Sequence, residues 1–110
     1  MLTLVEKVFR LHHISLFESL STDDLQVLAE IAELETYAPG ERILTEREAG
    51  DRLYVLLQGE VVVFHERAGR RAVLADLKDG AVFGEMAILT EEARSASVDA
   101  VVFSQCLSSA

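Results

Sequence analysis

Five of the six glycines in this chain, Gly40, Gly50, Gly59, Gly69 and Gly80, stand nine to eleven residues apart. The sixth is Gly84, so all of them fall between positions 40 and 84. Between them run short β-prone stretches: Arg42 to Thr45, Arg52 to Gln58, Glu60 to His65 and Arg71 to Leu77. Turn signals at intervals of about 8–12 residues, separating short strands, predict a β-sandwich or barrel. Ala68-Gly69-Arg70 reads as a hairpin connection with glycine at a position needing φ > 0. Ser95 to Phe103 supplies a further strand.

The region before Pro39 has a different texture. Thr3 and Glu6 form a capping-box pair, with Thr3 able to cap and Glu6 to reach back. Leu4, Val5, Val8, Phe9 and Leu11 then describe a short amphipathic helix. His12 to Phe17 is too short for another helix and suits a turn. A second helix starts at Ser21 or Thr22, with Asp23 and Asp24 favourable in its first turn. Leu25, Leu28, Ala29, Ile31 and Ala32 are expected to face the core. A chain of 110 residues supports one domain. Its parts are N-terminal helices over residues 1–35 and a β-roll over 36–110, interrupted by one short helix at 84–90.

Composition narrows the function classes. Half of the residues are hydrophobic, which fits a packed globular protein and not a disordered one. Charges interrupt every apolar run well short of the roughly 20 residues of a membrane span, so no membrane insertion is expected. The N-terminus, with Glu6 and Lys7 among its apolar residues, lacks a secretory layout. The single cysteine, Cys106, cannot form an internal disulfide, so a reducing, cytoplasmic compartment is expected. A formal net charge of −9 argues against direct nucleic-acid binding, which relies on neutralising phosphates.

The chemistry concentrates in residues 82–98. Gly84-Glu85 opens a short apolar stretch whose backbone N–H groups would begin a helical turn, and Arg94 follows nine residues after Glu85. Free N–H groups at the start of a helical turn attract an anion, and glycine lets it approach closely. A guanidinium meets a phosphate through two parallel hydrogen bonds. A carboxylate in such a site would repel phosphate, so Glu85 should face a donor such as a sugar hydroxyl. Phosphate plus ribose means nucleotide.

Phe83, Gly84, Glu85, Ala87, Leu89, Arg94, Ser95, Ala96, Ser97 and Val98 fall on a known pattern. The segment resembles the phosphate-binding cassette of the cyclic nucleotide-binding domain family. The likeness extends over roughly residues 14 to 103, through Leu16-Phe17, Tyr37 to Glu41, Gly50 to Val55 and Gly59 to Val63. It implies a mostly β, α+β fold: a double-stranded β-helix, or jelly-roll-like β-roll, flanked by N-terminal helices. It also implies a ligand, cAMP or cGMP, with Arg94 and Ser95 on the cyclic phosphate and Glu85 on the ribose 2′-OH. Backbone N–H groups of Gly84, Glu85, Met86 and Ala87 would complete the anion cradle. Val73, Leu74, Phe83 and Ala96 would line the pocket or core, and Ser97 is a further candidate ligand.

Two departures stand against that pattern. Ala93 occupies the place where the family often has proline. Ser104 to Ala110 is too short and too serine-rich for the lid helix that closes over the base in relatives, so the C-terminal lid helices are expected to be missing.

Other sites fare worse. Adjacent His12 and His13 diverge by about 100° on a helix, and His65 has no spaced partner, so no metal site is expected. Nothing local would activate Cys106. Arg70-Arg71 reads as a solvated hairpin tip. Nucleophile elbows, P-loops and paired-carboxylate motifs are absent from the sequence, so no enzyme and no cofactor are expected. The leading reading is a cyclic nucleotide sensor regulating a fused or partner effector, with a homodimer able to lend a missing lid. The rival is a degenerate member of the fold, acting as a structural or protein-interaction module. A relative sensing haem or an iron–sulphur cluster would need cysteines and histidines that this chain lacks.

Overall fold

The computed structural model describes residues 2–14, 17–48, 52–84 and 96–109. Among these residues two helices, α1 (Leu4–His12) and α2 (Thr22–Ile31), precede eight strands. These are β1 (Glu33–Tyr37), β2 (Arg42–Leu44), β3 (Leu53–Gln58), β4 (Glu60–Arg67), β5 (Arg70–Lys78), β6 (Val82–Phe83), β7 (Ser97–Ala100) and β8 (Ser104–Ser109). They form two four-stranded sheets, ordered β1-β8-β3-β6 and β2-β7-β4-β5. Every neighbouring pair is antiparallel. The expected mostly β fold with leading helices is the observed one.

Helix starts follow the capping chemistry. Thr3 Oγ1 accepts the Glu6 N–H at 3.1 Å, and the Glu6 carboxylate accepts the Thr3 N–H at 3.3 Å. Ser21 caps α2 by accepting the Asp24 N–H. Lys7 donates to the Ala32 carbonyl at 2.8 Å, tying the first helix to the end of the second. Leu25, Ala29 and Ala32 are buried as expected and Leu28 is partly buried, but Ile31 is 55% exposed. It lies six residues beyond Leu25, about 240° around the helix, and so faces away from the core.

Strand β3 explains the layering. Its residues 54–57 are buried without alternation, the mark of a strand covered on both faces. Val55 and Leu57, with Leu107 of β8, pack against Leu11, Ile14, Phe17, Leu25 and Ala29 of the helical layer. Tyr54 and Leu56 point the other way, into a second cluster with Leu44, Val61, Phe83, Val98 and Cys106. The helices therefore cover one face of the first sheet, and the second sheet covers the other. Each such aliphatic side chain contributes about 1.5–3 kcal/mol on burial.

The strand expected over Ser95 to Phe103 is shorter, with β7 covering only Ser97–Ala100. The run Ser95 to Phe103 breaks after Ala100, where the Val101 N–H bonds to the Glu60 carbonyl at 2.9 Å. Val101, Val102 and Phe103 are exposed, and Ser104 starts β8 in the opposite sheet. The serine-rich segment expected to fall short of a lid helix is the strand between β1 and β3, its hydroxyls satisfied. Ser104 Oγ donates to the Val102 carbonyl at 2.9 Å, and Ser108 Oγ accepts from Arg52 at 2.8 Å. Strand β1 straddles the boundary expected between residues 35 and 36, and pairs with β8 from Glu33↔Ser108 to Tyr37↔Ser104.

Candidate functional site

The candidate residues divide between the two sheets. Phe83 ends β6 and is buried, its ring stacked on Tyr54 at 5.2 Å between centroids and 5° between planes. Gly84 follows with φ 90° and is half-buried. On the second sheet, Ala96 is half-buried just before β7, and Ser97 is the first residue of that strand. Ser97 and Val73 both register against Phe64 of β4, one from each side, so these three form a row across the sheet. Glu85, Met86, Ala87, Arg94, Ser95 and most of the helix expected at 84–90 lie outside the described residues.

Three candidates have surroundings that sequence could not supply. Ser97 is 2% exposed, and its Oγ accepts the Glu46 backbone N–H at 3.0 Å. Val73 and Leu74 are 60% and 55% exposed, so they line no core. The bulge between Val63 and Phe64, opposite Leu74, interrupts the alternation that would otherwise turn one of them inward.

Beside Ser97 the carboxylate of Glu46, only 14% exposed, collects donors from β4. It contacts His65 Nδ1 at 3.0 Å and Arg67 Nη1 at 3.2 Å, and accepts the Glu66 N–H at 3.3 Å. The His65 hydrogen bond, aided by the Glu66 N–H and Arg67 and opposed by partial burial, lowers its pKa to about 2. A depressed carboxyl stabilises the folded state above its ordinary range near 4.5, and that stabilisation is lost as pH falls through the folded value. His65 thus has a partner that the sequence pattern does not reveal, because it comes from another turn.

A second charged cluster lies two residues along β7. Asp99 takes Arg42 on Oδ1 and Arg71 on Oδ2, the latter at 3.0 Å. Both guanidinium groups lie over the Phe64 ring, Arg71 at 3.7 Å and Arg42 at 5.2 Å from its centroid. Arg71 is therefore not part of a merely solvated tip. It covers an aromatic ring and pairs with a buried acid.

Elsewhere the chemistry is quiet. Cys106 is buried within the inter-sheet cluster, and desolvation pushes its thiol up to about 12, far from a reactive thiolate. His13 Nδ1 sits 2.8 Å from the Phe9 carbonyl, part of a helix end. Among the described residues, no group of three or more His, Cys, Asp and Glu side chains is arranged to hold a metal. Nor is any described helix long and apolar enough to cross a membrane.

Comparison with known proteins bears on this arrangement. A family model for the cyclic nucleotide-binding domain matches residues 34–109. The chain is 33% identical over 107 residues to a cAMP-dependent protein kinase regulatory subunit of Dictyostelium discoideum, covering 94% of this chain and 31% of that protein. It is 36% identical over 95 residues to a cGMP-dependent protein kinase of Toxoplasma gondii, covering 86% of this chain and 9% of that protein. It thus spans about a third or less of the length of these relatives. The regulatory domain of Toxoplasma gondii PKA, solved with cAMP, superposes with a TM-score of 0.85. That match covers 96% of this chain and 41% of the other at 24% identity, a likeness of fold.

Proposed function

The chain belongs to the cyclic nucleotide-binding domain family, and from that premise we propose that it is a non-catalytic sensor that binds cAMP or cGMP. The observation that carries this reading is that Glu85, Arg94 and Ser95 all stand in the sequence at the offsets of the family's cassette pattern. A module without ligand has no physical reason to keep both charges in that pattern. The two ends of the cassette support it: Phe83 is anchored at its start by the stack on Tyr54, and Ser97 is anchored near its end by Glu46.

In this reading Arg94 holds the cyclic phosphate through its fork of donors, with Ser95 beside it and backbone N–H groups from Gly84 to Ala87 completing the cradle. Glu85 accepts the ribose 2′-OH. Phe83, Ala96 and Ser97 support the site from behind, and the exposed Val73 is available to the purine. The names of the relatives favour a protein kinase as the effector, and ligand-driven repacking of α1 and α2 is the means of passing the signal on.

Calorimetry with cAMP and cGMP tests the reading. Arg94→Ala should weaken binding by roughly 2–4 kcal/mol, about 30- to 1000-fold, by leaving the phosphate unpaired. Arg94→Lys should recover only part, because a point charge cannot reproduce the fork. Unchanged affinity in Arg94→Ala, with the fold intact, would sink the proposal. Absence of binding by the unaltered chain would favour the structural module instead.

A further inference from the structure

We propose that Glu46 is a positioning residue for nucleotide binding, fixing the strand into which the Arg94-Ser95 segment runs without touching the ligand. This inference rests on the functional reading above and adds a residue that the cassette pattern does not contain. Three observations converge on it.

The first is the two-ended attachment of Glu46. Its carboxylate is held by His65, Glu66 and Arg67 of β4, while its backbone N–H donates to Ser97 Oγ. Ser97 stands two residues after Ser95 and three after Arg94. A displacement of Ser97 therefore displaces the start of the strand that follows the phosphate ligands.

The second is burial. Ser97 is almost fully enclosed, so its hydroxyl cannot exchange the Glu46 N–H for bulk water without opening the sheet. The third is backbone geometry. Arg47, the next residue, has φ 70°, a left-handed conformation that a non-glycine residue keeps only where its surroundings hold it. The turn is closed by the Glu48 N–H on the Thr45 carbonyl at 3.3 Å. The carboxylate contacts to β4 supply further restraint, so the N–H that reaches Ser97 is aimed by the network rather than by local preference.

The test uses Glu46→Gln, Ser97→Ala and Ser97→Thr in the full chain, with three readouts: calorimetry with cAMP and cGMP, thermal unfolding, and amide hydrogen exchange at residues 96–98 without ligand. Glu46→Gln should weaken both nucleotides by a similar factor, roughly three- to thirtyfold, as expected for a residue acting at a distance. Ser97→Ala should do the same, Ser97→Thr should stay near the unaltered chain, and the double variant Glu46→Gln/Ser97→Ala should be no weaker than the worse single. Exchange at 96–98 should accelerate in Glu46→Gln. Additive losses, failure of Ser97→Thr to retain affinity, or affinity and exchange both unchanged in Glu46→Gln would overturn the proposal. Should the unaltered chain bind neither nucleotide, the functional reading falls, and the exchange measurement alone decides whether Glu46 fixes the strand.

Discussion

Strand β4 is turned at both ends by a glycine with positive φ, Gly59 at 125° and Gly69 at 75°, yet the two ends differ in what the glycine does. A Cβ added at Gly59 would meet Ser104, at 2.7 Å from its Cβ and 2.8 Å from its Cα. The Gly59 N–H also donates to Asp79 Oδ1 at 2.8 Å. At Gly69 nothing lies within 4 Å of an added Cβ. Gly69 with Ala68 forms the two-residue loop closing Arg67↔Arg70, and both loop residues have positive φ, the type I′ arrangement that matches strand twist. The first glycine serves space and conformation, the second conformation alone. Identical letters at regular spacing therefore carry unequal energetic weight.

The comparison breaks most sharply at Gly59. Gly59→Ala should cost roughly 2–5 kcal/mol, summing overpacking against Ser104 and the left-handed penalty of an L-residue. Urea unfolding would measure it, and a loss below about 1 kcal/mol would show that the contact yields. Adding Ser104→Gly should recover only part of the loss, because the Ser104 Cα remains in the way. Gly69→Ala should cost about 1 kcal/mol, from conformation alone. A loss as large as that of Gly59→Ala would erase the distinction. The smallest effect belongs to Ala68, a non-glycine residue at φ 54°. Ala68→Gly should gain about 0.5 kcal/mol, relief of strain outweighing the added freedom of the unfolded chain. A loss at that position would mean that Ala68 makes contacts beyond its conformation.

The same contrast marks what the sequence could reveal. Glycine spacing located the strands from Arg42 to Leu77, because a turn residue and a β-branched run are both local signals. It could not locate β1 or β8. Glu33–Tyr37 is a strand because it pairs with residues some seventy positions later, and tertiary pairing overrides weak local preference. Ser104 and Ser108 are poor strand formers on their own, and they are buried only because Val102 and Arg52 satisfy their hydroxyls. At the site, Phe83, Gly84, Ala96 and Ser97 were legible as a pattern of types at fixed offsets. Glu46 was not, since its link to Ser97 spans 51 positions and no periodicity announces it. Arg71 was misread for a like reason: its acid and its ring come from β7 and β4, and only the assembled sheet brings them beneath it.

The placement of β8 between β1 and β3 sets the order in which this domain can be built during synthesis. Until residues 104–109 have been made, β1 has, among the described residues, no neighbour in its sheet, and β3 is paired there only with the two-residue β6. A ribosome-bound chain would therefore hold the helices against an unfinished sheet, with the backbone groups of β1 and one side of β3 open to other chains. Such late, long-range closure makes folding slow compared with a chain of local contacts. Chaperone contact during that interval would concentrate on β1 and β3 and end when β8 slots between them.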